Sequence, residues 1–177
     1  MIETKKDYLY CSENDKFSRK EIRNKPRIFR DEPWRYQILL RKVEFYNNKK
    51  GKNLFTLIYL LFLKYKLHKL QLKLGIFIPV NVFDSGLHIV HVGGIYINGN
   101  AQIGKNCTIF QGVTVGSKSP GGEAPILGDN ICLGAGAVVV GNIKLADGIT
   151  VGANSVVTKS FEEPGIIIAG NPAVKIK

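Results

Sequence analysis

"ILGDNICLGAGAVVVGNIKLADGITVGANSVV", residues 126–157, repeats itself every six positions. Leu127, Leu133, Val139, Leu145, Val151 and Val157 are branched aliphatics, and the series runs back through Val115, Ile109, Ile103 and Ile97. Two residues before these stands a second set, mostly small or aliphatic: Ala101, Cys107, Val113, Ile131, Ala137, Ile143, Ile149 and Ser155. A period of six is neither the 3.6 of a helix nor the 2 of a strand. It is a short strand plus a corner. Three such units close a triangular coil of about eighteen residues, and stacked coils bury the inward aliphatics. The Gly, Asn and Asp residues between them suit corners that need positive φ. The spacing therefore predicts a mainly β chain, with a parallel β-helix over residues 76–177.

Between Val115 and Leu127 the phase is kept but the pattern breaks, at "GSKSPGGEAPI" (116–126). Pro, Gly and Ser dominate it, so it reads as a loop extruded from the coil, the kind of segment that carries function on a rigid scaffold.

Residues 1–75 read differently, as a helical, loop-rich and basic segment. They hold 19 Lys/Arg against 8 Asp/Glu, whereas residues 76–177 hold 6 against 6, so the whole net charge of +11 lies in the first part. No RNP, zinc-finger or helix-turn-helix signature accompanies that charge, which argues against a nucleic-acid partner. Residues 31–48 form one helix candidate, with Asp31 as N-cap and Pro33 in its first turn. Residues 53–75 form a longer one, capped by Asn53 and ended by Gly75. Its fully apolar run, Leu54 to Leu63, is about half of the roughly twenty residues a membrane span needs. Lysines then alternate with leucines, so the helix packs on the protein or a partner, with docking on anionic lipid as the alternative. Three scattered cysteines without a CxxC pair, and an opening without a signal-peptide pattern, suit the cytoplasm. The lipid alternative would put the protein at the inner face of the membrane.

Two of the three histidines stand in "GLHIVHVGG" (86–94), an otherwise aliphatic run. His91 lies one step of six before Ile97 and so falls in the inward series. Gly93 and Gly94 would let the coil bulge there and bring the ring to its edge. Imidazole is the usual base for making a hydroxyl nucleophilic. His88, three residues earlier, points to the other face and is a candidate for lining an acceptor pocket. A buried structural histidine is the other reading of each. Catalytic zinc needs three protein ligands, and the only other histidine, His68, precedes the repeat, so no metal is expected.

"GLHIVHVGGIYINGNAQIGKNCTIFQGVTVGS", the extruded loop, "GAGAVVVGNI" and "GANSVVTKSF…AGNPA" together resemble the hexapeptide-repeat acyltransferases, over roughly residues 75–177. Within them they are similar to the serine acetyltransferase branch, and "LGIFIPVNVFDSGLHIVH" looks closest to relatives that O-acetylate capsule, exopolysaccharide and lipopolysaccharide sugars. The resemblance implies a left-handed parallel β-helix, an exception to the right-handed crossover rule. It also implies a homotrimer with sites between subunits, and acetyl-CoA as donor. His91 takes the place of the family's general base. Ala135 and Ala153 match positions along the pantetheine arm, and Gly116 and Ser117 match the stretch near the thioester, where a backbone N–H steadies the oxyanion. Thr158 and Lys159 match a pair near the nucleotide end, and Lys177 is a candidate for a phosphate. Gln111 is shared with the branch and is a candidate for facing the acceptor. Glu123 in the loop is a candidate for hydrogen-bonding a sugar.

Three departures bear on the acceptor. The family's orienting aspartate is missing one coil before His91, leaving Asp84 or a backbone carbonyl for that work. Val90 stands where the family has an acid. "GGEAP" stands where it has an Arg-His pair that grips the amino-acid substrate. A free amino acid needs a cation for its carboxylate. The expectation is therefore an O-acetyltransferase acting on a saccharide hydroxyl in surface polysaccharide biosynthesis. The alternatives are a serine O-acetyltransferase of cysteine biosynthesis and a non-catalytic β-helix scaffold.

Overall fold

The computed structural model describes residues 1–27 and 29–177. The repeat forms a left-handed parallel β-helix, a three-faced prism with the aliphatic series inside. The first face stacks β1 (Ile76–Phe77), β3 (Ile95–Ile97), β6 (Thr114–Gly116), β9 (Val138–Val140) and β12 (Val156–Val157). The second stacks β4 (Gln102–Ile103), β7 (Ile126–Leu127) and β10 (Lys144–Leu145). The third stacks β2 (His88–Ile89), β5 (Thr108–Ile109), β8 (Cys132–Leu133), β11 (Thr150–Val151), β13 (Ile167–Gly170) and β14 (Ala173–Lys175). Tyr96 pairs with Thr114, and Cys132 with Thr150, each eighteen residues on, as the six-residue unit requires. Every strand of the prism is parallel to its neighbour except β14, which turns back antiparallel on β13 and closes the last coil.

Both hexad series point inward: Ile109, Val115, Leu133, Val139, Val151 and Val157 are at most 1% exposed. Asn106, Asn130 and Asn154 take positive φ at corners, as do several glycines. The extruded loop is one residue shorter at each end than its sequence bounds, because Gly116 ends β6 and Ile126 begins β7.

Three helices precede the prism. α1 (Lys5–Ser18) begins with a capping box, Thr4 and Asp7 each accepting from the other's backbone N–H. α2 (Glu32–Asn48) carries Pro33 in its first turn, but Asp31 does not cap it by its side chain. Its carboxylate instead accepts from Arg23 Nη1 at 2.9 Å and from the Arg27 N–H at 2.7 Å. α3 (Leu54–Leu74) is capped by Asn53, whose Oδ1 accepts from the Thr56 N–H at 2.9 Å, and ends at Gly75 in the left-handed region, φ 62°. None of the described helices is long and apolar enough to cross a membrane.

The helices cover the open start of the prism. The first coil has no coil before it, so its outward peptide groups need other partners. Arg41 Nη1 donates to the Phe83 carbonyl at 2.9 Å, and Nη2 to the Asp84 carbonyl at 2.6 Å. Asp15 Oδ1 accepts from the Gly86 and Leu87 N–H groups at 2.8 and 2.9 Å. Gln37 Nε2 donates to the Leu87 carbonyl, and Arg19 Nη1 to the Ile89 carbonyl at 3.2 Å. Arg41 is itself held by Asp15 and Glu44, each at 2.9 Å, and all three side chains are at most 5% exposed. Removing one member of a buried ion network leaves an uncompensated charge and costs about 3–5 kcal/mol. Asp15→Ala should therefore lower unfolding free energy by about that much in urea titrations; a loss below about 1 kcal/mol would show the network to be dispensable.

Candidate functional site

His91 leaves the inward series because its coil is longer than the others. Thr108 and Thr114 are six residues apart, but their partners on the coil above, His88 and Tyr96, are eight apart. The two additional residues fall between β2 and β3. Gly94 lies over Gly112, where an added Cβ would stand 3.3 Å from the Gly112 Cα, and the Gly112 N–H donates to the Gly93 carbonyl. His91 and Val92 are thereby pushed out as a bulge, both exposed. Gly93 and Gly94 close it at φ 106° and 67°, angles that L side chains rarely adopt. The imidazole sits at the prism's edge, its centroid 6.4 Å from that of Phe110.

Below the bulge runs one corner of the prism. Gln111, Ala135 and Ala153 stack there, one per coil, with the Gly136 N–H donating to the Gln111 carbonyl at 2.9 Å and the Asn154 N–H to the Ala135 carbonyl at 2.8 Å. Ala135 and Ala153 put only methyl groups on this corner, the first half-buried and the second exposed. Four residues singled out from the sequence thus share one edge: His91, Gln111, Ala135 and Ala153.

Gly116, Ser117, Thr158 and Lys159 lie at the opposite edge of the first face, where β6 and β12 end. Gly116 and Ser117 line a cleft of about 350 Å³ with Tyr96, Asn98 and Thr114. Ser117 Oγ donates to the Ser119 carbonyl at 2.7 Å, shaping the loop. Lys118, which the sequence did not single out, crosses Gly141 and donates to the Thr158 carbonyl at 3.4 Å. A Cβ at Gly141 would meet its Cε at 2.8 Å. Lys159 Nζ rests 5.4 Å from the Phe161 ring centroid. The width of the first face separates this set from His91 within one chain.

Other expected residues stand elsewhere. Asp84 lies before β2, at the corner opposite to His91. Its carboxylate accepts from the Ser85 N–H at 2.6 Å, so it does not orient the imidazole. Glu123 lines a cleft of about 250 Å³ with Asn100, Gln102 and Asn142, beside the second face. Lys177 follows β14, which runs back from the Ala153 corner, and its N–H contacts the Ile167 carbonyl at 3.4 Å. Neighbouring Lys175 is paired with Glu163 at 2.7 Å.

His88 does point outward on the third face, half-buried. Burial, and then the nearby Arg19 charge, push its pKa down to about 4. Arg19, which follows α1, was invisible as a site residue in the sequence, some seventy residues away. Burial pushes its pKa down to about 10. Among the described residues its Nε and Nη2 are buried without a hydrogen-bond partner.

No protein-family model matches the chain. Serine acetyltransferases from Staphylococcus aureus and Staphylococcus epidermidis are 47% identical over 84 residues and 45% identical over 76. Those stretches are 46% and 42% of this chain, and the chain spans only 39% and 36% of the relatives' own length. Among solved structures, a serine acetyltransferase from Brucella abortus strain S19 matches with a TM-score of 0.73 at 22% identity, covering 97% of this chain and 70% of that one. The soybean enzyme complexed with serine matches at 0.74 and 23%, again over 97% and 70%. A serine acetyltransferase in complex with CoA matches at 0.72 and 20%, over 97% and 71%. At such identities the likeness to these structures is one of fold.

These relatives overturn the expected saccharide acceptor and its place in polysaccharide biosynthesis, since they are serine acetyltransferases. The expectation rested on a missing cation in the loop; Arg19, from outside the loop, lies against the strand that precedes His91.

A histidine held neutral by burial binds a proton more readily once unfolded. Between about pH 6.5 and pH 4 the unfolded state takes up that proton while the folded state does not, so stability rises with pH across this window. His88→Gln should therefore flatten the dependence of Tm on pH between 4 and 6.5 relative to the parent protein; parallel curves would show that His88 is not held neutral.

Proposed function

We propose that the chain transfers an acetyl group from acetyl-CoA to the hydroxyl of L-serine, in a cytoplasmic setting. The observation that supports this most is the 47% identity over 84 residues to a serine acetyltransferase. In this reading His91 takes the proton from the serine hydroxyl as the oxygen attacks the thioester carbonyl. The tetrahedral oxyanion then collapses, the C–S bond breaks, and the CoA thiolate leaves and collects the proton. No covalent acyl-enzyme is needed. Backbone N–H groups near Gly116 and Ser117 would steady the oxyanion. The pantetheine arm would lie along the corner of Ala135 and Ala153.

The division of these residues between two edges of one face supports a homotrimer. Three-fold packing would set the His91 edge of one chain against the Gly116–Lys118 edge of the next, so that each site is built from two chains. His88, neutral at working pH, would line the acceptor side. Arg19 would supply the cation for the serine carboxylate, the group whose two oxygens suit its two unpartnered nitrogens.

Purified protein supplied with acetyl-CoA and L-serine should release CoA thiol, and a panel of sugars should not replace serine. His91→Ala should lower kcat by about 10²–10⁴-fold with an unchanged melting temperature. Full turnover in that variant would remove the mechanism. Arg19→Gln should raise KM for serine about 10- to 100-fold, the worth of one charged hydrogen bond, and leave KM for acetyl-CoA within about twofold. Equal changes in both constants would make Arg19 merely a structural cap of β2.

A further inference from the structure

Helix α3 is apolar on two opposite sides. Leu60, Leu63, Leu67 and Leu74 face the protein and are buried. On the other side Leu54, Ile58, Leu61, Phe62, Tyr65 and Leu72 recur at helical spacing and are 52% to 68% exposed, with Phe55 beside them at 81%. The second apolar side has no partner among the described residues, and a contiguous exposed apolar stripe of this size marks a docking surface.

The charge around the stripe says what covers it. Between Glu44 and Asp84 the chain has no carboxylate side chain and seven lysines: 49, 50, 52, 64, 66, 69 and 73. Lys66 Nζ lies 5.3 Å from the Phe62 ring centroid and Lys69 Nζ 5.7 Å from that of Tyr65, so their stems run along the stripe and their amines stand at its rim. A second copy docked face to face would oppose two wholly cationic rims, with no carboxylate in the segment to pair them. An anionic lipid surface offers both parts of the complement, acyl chains for the stripe and negative headgroups for the lysines.

We propose that α3 lies in the headgroup region of an anionic membrane, parallel to its plane, and holds the β-helix against that surface without crossing it. The acyl-transfer reading is not needed for this inference. The full-length protein should co-sediment with vesicles containing phosphatidylglycerol and stay in solution with pure phosphatidylcholine. Raising salt from about 0.1 to 0.5 M should weaken the binding about tenfold, as the Debye length shortens. Replacing Phe55, Leu61 and Phe62 by Ser should cost at least about tenfold in vesicle affinity, with the same sedimentation coefficient in the absence of lipid. Replacing Lys64, Lys66, Lys69 and Lys73 by Gln should abolish the preference for anionic vesicles. Failure of the parent protein to bind phosphatidylglycerol vesicles at low salt overturns the inference. So does a smaller assembly in the triple Ser variant, which would mean that the stripe joins copies of this chain.

Discussion

A parallel solenoid can satisfy every peptide group except those of its end coils, and this chain meets that constraint with charge. The outward peptide groups of the first coil meet Asp15, Arg41, Gln37 and Arg19, all from the helical segment. An unsatisfied buried peptide group costs about 1–3 kcal/mol, so a bare first coil would fray. It is also the coil that carries His88 and His91. The helical segment is therefore part of what holds the site's geometry, although none of its helices touches the bulge itself through a hydrogen bond recorded among the described residues. At the other end the antiparallel return of β14 on β13 does the same work with backbone alone.

The bulge is the second consequence of coil length. Regular coils bury every sixth residue, and an imidazole in that register would be sealed among aliphatics. Two extra residues between β2 and β3 turn the chain outward just where His91 stands, and the glycines behind it allow the return. Nothing in the outer faces requires this excursion. The same corner continues downward as Gln111, Ala135 and Ala153, linked coil to coil by backbone hydrogen bonds.

Arg19 and Arg41 show how one residue type serves two ends. Arg41 has carboxylates on both sides and carbonyls ahead, and it is a closed structural knot. Arg19 makes one bond to the Ile89 carbonyl and holds two nitrogens without partners among the described residues. Its desolvation is not fully compensated by partners among the described residues. This shortfall distinguishes the two arginines more clearly than burial does.

The period of six, legible over residues 97–157, was enough to specify the prism, its inward residues and its interrupted coil, because packing in a solenoid is local and repeats. Asn53 and Gly75 likewise marked the ends of α3, since capping is settled within one turn. Stepping in sixes puts His91 in the inward series, and Gly93 and Gly94 signal the bulge that brings it out; the two-residue length of that excursion is seen only when neighbouring coils are paired. Asp31 looked like a helix cap until Arg23 and Arg27 claimed its carboxylate. Arg19 could not be read as a neighbour of the histidine strand at all, nor could Asp84 be seen to face away from it. Those relations join residues far apart in the chain through the way a helical segment settles on the first coil. Local sequence determined the repeat, and only tertiary packing decided that Arg19 stands beside His88 and that Asp84 faces away from His91.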